Sequence, residues 1–356
     1  MNKVRASNPL LDGLIPYDPK YIPARVMLSA NENPQSIPEP VLKAVLDRLS
    51  GLDFNRYPDP LANDLRDAIA QVEGLDRNNV LMGNGGDELL FDLALAWGGA
   101  GRKMLNIPPT FSVYKANAYL TGTDVVDVPR RDDYSIDEQA VIDRLSAGDI
   151  DFAIITSPNN PTGTVASRDF LIRALECTDA LIMVDEAYCE FSRQTIAPLV
   201  REHKNLLVLR TFSKAYSLAG ARMGYILADP EVITEFVKVR QPYSVDAVSQ
   251  AIALEVVRNR DLFQDRIDRI IDQRGVLAEG LAAIEGVRVY PSDANYLLVR
   301  LEGVDAGEVW QQLLDRGYLV RDFSRSAGLE NCLRITVGLP EENKGLVAAL
   351  AQILKG

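Results

Sequence analysis

Between about residues 80 and 230, short apolar runs alternate with longer segments of helical periodicity. The runs lie at 79–82, 103–107, 124–128, 152–156, 180–184, 206–210 and 224–227. They are apolar at consecutive positions, as in strands buried on both faces. Between several of them, segments such as 88–97, 168–176 and 231–239 carry apolar residues at helical spacing. The alternation predicts an α/β fold, a mostly parallel sheet with helices on both faces. After Asp246 the pattern changes: helical stretches at 246–258 and 261–284, strands at 287–290 and 296–301, a helix at 307–316, strands at 318–321 and 332–337, and a helix at 341–354. This predicts a smaller α+β domain. The first 33 or so residues are rich in Pro, Asn and Tyr and read as an irregular arm. The expected organisation is an arm at 1–35, a large domain at 36–245 and a small domain at 246–356, with the arm packing on the small domain.

In an open parallel sheet, ligands bind beyond the carboxyl ends of the strands. The polar clusters of this chain fall there: after Met82, after Ile107, after Thr156, at Asp185 and after Arg210. Lys214 follows an apolar strand in Thr211-Phe212-Ser213-Lys214. A lysine on such a loop can be desolvated, which lowers its pKa and makes it a Schiff-base nucleophile; read alone, the plainer reading is an ordinary surface lysine in a loop. Ser213 and Arg222 flank it and could bind an anion together. Asp185 ends an apolar run, where a carboxylate is costly without a positive partner. A protonated pyridine nitrogen is one such partner; a turn cap is the plainer alternative. Ser157-Pro158-Asn159-Asn160-Pro161-Thr162-Gly163 is a turn, and the amide of Asn160 is a fixed donor suited to a phenolate oxygen. Gly83-Asn84-Gly85-Gly86-Asp87-Glu88 joins a strand to a helix and can turn backbone N–H groups toward a phosphate. It is neither G-x-G-x-x-G, because Glu88 takes the third glycine position, nor a P-loop.

Composition narrows the choices. The 356 residues are 47% hydrophobic and 25% charged, which is ordinary globular material. No apolar run of about 18 residues predicts a membrane span, and the first residues lack the apolar stretch of a secretory signal. The net charge of −12 argues against nucleic acid as the main partner. It leaves anionic small molecules open, because exposed charges are screened beyond about 10 Å. Cys177, Cys189 and Cys332 form no C-x-x-C pair and read as buried reduced thiols, fitting a cytoplasmic compartment. The single histidine, His203, lies in a charged turn expected to face solvent. One histidine rules out a multi-histidine metal centre, so no metal is expected, and acid–base chemistry falls to other residues.

Taken in order, Gly85-Gly86-Asp87, Asn160-Pro161-Thr162-Gly163, Asp185-x-x-Tyr188, Ser213-Lys214 and Arg222 resemble the motif series of the fold-type I pyridoxal-phosphate-dependent aminotransferases of classes I and II. The resemblance covers nearly the whole chain. Within the family the chain is most similar to the histidinol-phosphate aminotransferase branch. The pieces that carry this are Leu28-Ser29-Ala30-Asn31-Glu32-Asn33-Pro34, Arg56-Tyr57-Pro58-Asp59-Pro60, Ala294-Asn295-Tyr296-Leu297-Leu298-Val299, and Arg321-Asp322 through Cys332-Leu333-Arg334-Ile335-Thr336-Val337-Gly338.

The resemblance implies pyridoxal 5'-phosphate as cofactor, joined to Lys214 as a Schiff base, with Lys214 later moving the substrate's Cα proton. It implies that Asp185 pairs with the ring nitrogen, that Tyr188 and Asn160 bond the phenolate oxygen, and that Phe111 stacks on the ring. The Gly85-Gly86-Asp87 turn, Thr211, Ser213 and Arg222 would hold the phosphate. Tyr57 would reach the neighbouring subunit's cofactor, so a homodimer with shared sites is implied. Arg334 would clamp the substrate α-carboxylate. Tyr17, Asn31, Tyr57, Asn160 and Arg321 would line the substrate pocket, Arg321 facing a substrate phosphate. The implied reaction moves an amino group between L-histidinol phosphate and 2-oxoglutarate in a ping-pong cycle of histidine biosynthesis. An aromatic amino-acid aminotransferase and a threonine-phosphate decarboxylase stay open on the same scaffold. Two positions depart from the family: Phe111 stands where tyrosine is frequent, and Gly86 where serine is common. Plainer readings remain for some residues: Tyr17 and Tyr21 as arm packing, Arg321 as a solvated strand end, Asn295 as a turn residue, and Trp97 and Trp310 as core.

Overall fold

The computed structural model describes residues 4–11, 14 and 22–355. Its strands, in chain order, are β1 (Val26–Leu28), β2 (Val80–Asn84), β3 (Lys103–Asn106), β4 (Asp124–Asp127), β5 (Phe152–Thr156), β6 (Leu181–Asp185), β7 (Leu206–Thr211), β8 (Met223–Ala228), β9 (Val287–Val289), β10 (Tyr296–Leu301), β11 (Tyr318–Asp322) and β12 (Cys332–Thr336). Seven form one sheet in the order β2-β8-β7-β6-β5-β3-β4. The pairs from β7 across to β4 are parallel, and β8 runs antiparallel to both β2 and β7. The reason is local. No crossover helix separates β7 from β8, so the chain must turn back, and it does so through the loop that carries Lys214.

The consecutive apolar residues of the central strands are divided between two cores by the twofold alternation of a strand. In β5, Ala153 and Ile155 pack in one core with Phe170 and Leu171 of helix Arg168–Glu176. Phe152 and Ile154 pack in the other with Leu89, Leu90 and Leu93 of helix Gly85–Trp97 and Phe236 of helix Pro230–Val239. With helices on both faces, the open end of the sheet is where a ligand can approach.

The second sheet has the order β1-β11-β12-β10-β9. Its pairs are antiparallel except β1 with β11. The expected irregular arm is therefore corrected: Val26–Leu28 is an edge strand of the C-terminal sheet, with Val26 opposite Tyr318. Val26 and Leu28 are buried and Met27 is 41% exposed, an alternation over three residues that is too short to read in sequence. The helical stretch at 261–284 is also divided, into a turn at Arg260–Phe263 and a helix at Gln264–Ala282. Helices Glu39–Leu49 and Asn63–Glu73 occupy a region that the pattern left unassigned. Cys189 and Cys332 are buried free thiols, whereas Cys177 and His203 are half-buried. No helix among the described residues is long and apolar enough to cross a membrane.

Candidate active site

A cavity of about 670 Å³ opens at the carboxyl ends of β5, β6 and β7. Residues 29–32 border it on one side, and Arg321 and Arg334 reach it from the second sheet. Separate loops meet here because parallel strands all end on the same edge.

Lys214 sits on the loop after β7, and its Nζ donates to the Ala30 carbonyl at 2.9 Å. It stands 5.9 Å from the centre of the Tyr188 ring. The surface it shows is cavity wall, not bulk solvent. Desolvation, joined by the charge of Arg334, pushes its pKa down from 10.5 to about 8, against the pull of Glu32 and Asp87. An amine so placed loses its proton far more readily than a surface lysine.

Asp185 ends β6. Its Oδ2 accepts from the Tyr114 hydroxyl at 2.6 Å and its Oδ1 from the Ala187 N–H at 3.0 Å. Burial lifts its pKa from 3.8 to about 6, while these two hydrogen bonds hold it down. The next residue shows what an ordinary buried acid needs. Glu186, on the opposite face of the sheet, is paired with Arg210 at 3.0 Å and bonded by Thr195 and the Ile196 N–H. Asp185 has neutral donors in place of such a cation.

Tyr188 is 5% exposed and packs edge-on against Tyr296. Its hydroxyl accepts from Asn31 Nδ2 at 2.9 Å. Asn31 lines the cavity, but most of its polar atoms are spent inside the protein. Its backbone N–H and its Oδ1 both meet Thr336 Oγ1, and its carbonyl accepts from Asn295 Nδ2. Asn31 thus supports Tyr188 as well as facing the pocket. Its φ of 55° is one that asparagine tolerates. Asn295 is fully buried and ties this segment down, a larger task than a turn residue performs. Asn160 Oδ1 accepts from the Arg334 guanidinium, which reserves Nδ2 as its donor.

At the other end, helix Gly85–Trp97 starts three residues earlier than its apolar pattern, so Gly86 and Asp87 lie in its first turn with N–H groups unclaimed by the helix. Gly85 is not on the cavity wall. It has φ +76°, and a Cβ there would stand 2.6 Å from Arg222 Nη2. A Cβ on Gly224 would stand 2.8 Å from the Gly86 nitrogen. These glycines leave the space in which Arg222, bonded to Asp87 Oδ2 at 2.8 Å, can swing an N–H group into the cavity. Thr211 Oγ1 accepts from the Ser213 N–H and donates to the Met223 carbonyl, which fixes the loop that presents Ser213.

Arg321 and Arg334 are direct partners across β11 and β12. Both guanidiniums lie over Phe323, at 6.0 and 5.7 Å, and Arg334 also lies 5.3 Å from the Tyr296 ring. Arg334 further donates to the Ser29 carbonyl at 2.6 Å. Two cations fixed side by side form a site for a doubly charged anion or for two carboxylates.

Some expected residues fall elsewhere. Tyr57 is 81% exposed and stacks on Tyr243 at 4.6 Å, off the wall of this cavity. Tyr17 and Tyr21 lie outside the described residues. Other wall residues were not anticipated. Tyr114, in the first turn of helix Val113–Leu120, touches Asp185 and meets Phe111, three positions earlier and just ahead of the helix, edge-on at 5.6 Å. That spacing was the available signal. Asn117 is 8% exposed on the same wall, and its amide nitrogen has no hydrogen-bond partner among the described residues.

These features suit a phosphorylated pyridine aldehyde. A buried carboxylate without a cation suits a ring N–H. Phe111 supplies a flat apolar surface, and Tyr188 and Asn160 can donate to a ring oxygen. The helix start and Arg222 suit the phosphate, and Lys214 is the amine to meet the carbonyl.

The sequence profile of the family "Aminotransferase class I and II" matches residues 24–350. Histidinol-phosphate aminotransferase 1 of Carboxydothermus hydrogenoformans is 39% identical over 354 residues, covering 99% of this chain and 100% of that protein. The solved histidinol-phosphate aminotransferase of Sinorhizobium meliloti, in complex with pyridoxal-5'-phosphate, superposes with a TM-score of 0.89 at 26% identity, over 99% of this chain and 98% of that one. The L-threonine-O-3-phosphate decarboxylase of Porphyromonas gingivalis superposes with a TM-score of 0.83 at 26% identity, over 93% and 100%.

Proposed function

Because the chain belongs to the class I and II aminotransferases, we propose that it transfers an amino group between L-histidinol phosphate and 2-oxoglutarate, with pyridoxal 5'-phosphate as cofactor. When bound, that cofactor supplies an electrophilic carbonyl and a ring that withdraws electrons from the substrate's Cα. The protein's part is positioning and proton control. Lys214 Nζ, held largely desolvated, is the amine that meets the carbonyl and the base that takes the Cα proton. Asp185 would hold a negative charge against the ring nitrogen. Tyr188 and Asn160 donate to the ring oxygen, and Phe111 covers the ring face. The N–H groups of Gly86 and Asp87, with Ser213 and Arg222, would hold the phosphate, and Thr211 fixes the loop that presents Ser213.

The observation that carries the choice of substrate is the in-register pair Arg321 and Arg334. Histidinol phosphate brings one doubly charged phosphate, and 2-oxoglutarate brings two carboxylates. A pair of adjacent guanidiniums serves both halves of a ping-pong cycle. Arg334 faces the α-carboxylate of the oxo acid, and Arg321 faces the phosphate of the donor. Asn31 shapes the wall between them. Tyr57, exposed and off the wall of its own chain's cavity, belongs to the site of the neighbouring subunit in a homodimer.

The likeness to the threonine-phosphate decarboxylase supports a second reading, release of carbon dioxide from a phosphorylated amino acid. One screen separates the readings. The holoenzyme is mixed in turn with histidinol phosphate, phenylalanine and threonine phosphate, and the visible absorbance of the cofactor is followed. Fast bleaching by histidinol phosphate, reversed by 2-oxoglutarate, is expected. Equal rates with phenylalanine would remove the phosphate specificity, and evolved carbon dioxide would favour the decarboxylase.

A further inference from the structure

Asp185 must stay ionised to meet a cationic ring nitrogen, yet it is buried and faces several groups that work against its charge. Asp87, from the start of helix Gly85–Trp97, and its neighbour Glu186 both repel it. The Tyr296 hydroxyl also feels its charge, and Tyr188 acts on its partner Tyr114. Glu186 is neutralised by Arg210 on the far face of the sheet, and Asp87 is paired with Arg222. What contacts Asp185 itself is the Tyr114 hydroxyl and the Ala187 N–H.

A hydroxyl can donate or accept, so its direction has to be accounted for. Both hydrogens of Asn159 Nδ2 are used, on the Pro109 carbonyl and on Thr162 Oγ1. Asn159 Oδ1 therefore accepts, and it takes the hydroxyl proton of Thr110 at 2.7 Å. Thr156 Oγ1 lies 2.9 Å from Tyr114 Oη and 3.3 Å from Thr110 Oγ1. Its proton goes to the nearer oxygen, which fills the acceptor side of Tyr114 and leaves the Tyr114 proton directed at Asp185. Strand register builds this arrangement, because Thr156 and Asp185 are direct partners across β5 and β6. Both hydroxyl-bearing side chains are shielded, with Tyr114 at 1% and Thr156 at 2% exposure, so water does not compete.

We propose that Tyr114 is a positioning residue: Thr156 locks its hydroxyl so that the proton points at Asp185, which holds that carboxylate ionised and aimed at the ring nitrogen of the cofactor. The inference rests on the pyridoxal-phosphate reading above for what Asp185 meets, but the lock itself is a property of the cofactor-free protein. Removing a donor from an ionised carboxylate raises its titration point.

The test follows carboxyl titration by NMR in cofactor-free protein labelled at aspartate, with Asp185→Asn used to assign the signal. Tyr114→Phe should move the Asp185 midpoint upward by about one pH unit or more. Thr156→Val should move it in the same direction by less, and Thr156→Ser, which restores the hydroxyl, should return it to the wild-type value. The pyridoxal-phosphate dissociation constant of Tyr114→Phe, measured by equilibrium dialysis near neutral pH, should rise about tenfold, one unit of lost pairing. An unchanged midpoint in Tyr114→Phe, or a Thr156→Ser protein that titrates like Thr156→Val, overturns the proposal. Should Tyr114→Phe fail to fold, the two Thr156 variants decide the matter. Wild-type protein that takes up no pyridoxal phosphate overturns the cofactor reading alone, and the titration still judges the lock.

Discussion

At the scale of single residues, desolvation and local charge set the chemistry. Lys214 gives up its proton near 8 in the folded chain, against an ordinary 10.5 when unfolded. Between those values the unfolded chain holds more protons, so stability rises with pH across that window. A Lys214→Met protein lacks the cost of the buried ammonium. It should be more stable than wild type near pH 7, and the gap should close as pH rises above about 8, as read from thermal melts of cofactor-free protein. The same substitution should abolish turnover. Arg321→Gln should raise KM for histidinol phosphate by roughly 10- to 100-fold, the loss of one charge-assisted hydrogen bond of about 1.5–3 kcal/mol, while leaving phosphate-free donors little changed. A loss of kcat that is equal for all donors would remove Arg321 from phosphate recognition. At Gly86 the nearest atom a Cβ would meet is Leu209 Cδ2 at 3.5 Å, an ordinary contact. Gly86→Ser should therefore fold and, by adding a hydroxyl beside the helix start, tighten cofactor binding in a dialysis measurement.

At the scale of elements, the site depends on where helices start and how strands are aligned. The long apolar stripe of helix Gly85–Trp97 was legible, but its first turn was not, because Gly85 and Gly86 carry no periodic signal. Close packing places that turn: Gly224 of β8 approaches the Gly86 nitrogen so nearly that a side chain has no room. Gly224→Ala should be the more damaging change, since the atoms it strikes are backbone. Gly85→Ala strikes the end of the flexible Arg222 side chain, with an added backbone cost of about 1–2 kcal/mol for its positive φ. Denaturant titrations of the two variants should rank them in that order, and the reverse ranking would mean that the β8 contact can relax. Register acts in the same way for Arg321 and Arg334. Their sequence neighbours say only that each lies in or near a strand, and the antiparallel pairing of β11 with β12 sets them side by side.

For the whole molecule, the two sheets meet at the cavity, and the proposed partner subunit would add Tyr57. Phe54 at 74%, Tyr57 at 81% and Tyr243 at 42% exposure are large side chains for a solvated surface, and Tyr57 and Tyr243 stack together. Two inactive proteins, Lys214→Ala and Tyr57→Ala, should regain activity when unfolded together and refolded, since one site of each mixed dimer is then intact. Mixtures no more active than their parents would confine Tyr57 to its own chain. Much of this protein was determined by its sequence. Apolar runs must be buried, so their spacing marked every strand but β1 to within a residue or two, and the chemically costly residues Asp185 and Lys214 marked the edge where the cavity opens. Only the tertiary structure decided which side chains answer one another across the chain. Tyr114 beside Asp185, Asn31 beneath Tyr188 and β1 on the edge of the C-terminal sheet depend on contacts between distant segments. Such contacts carry no periodicity along the chain, because they are set by register and close packing after the elements have come together.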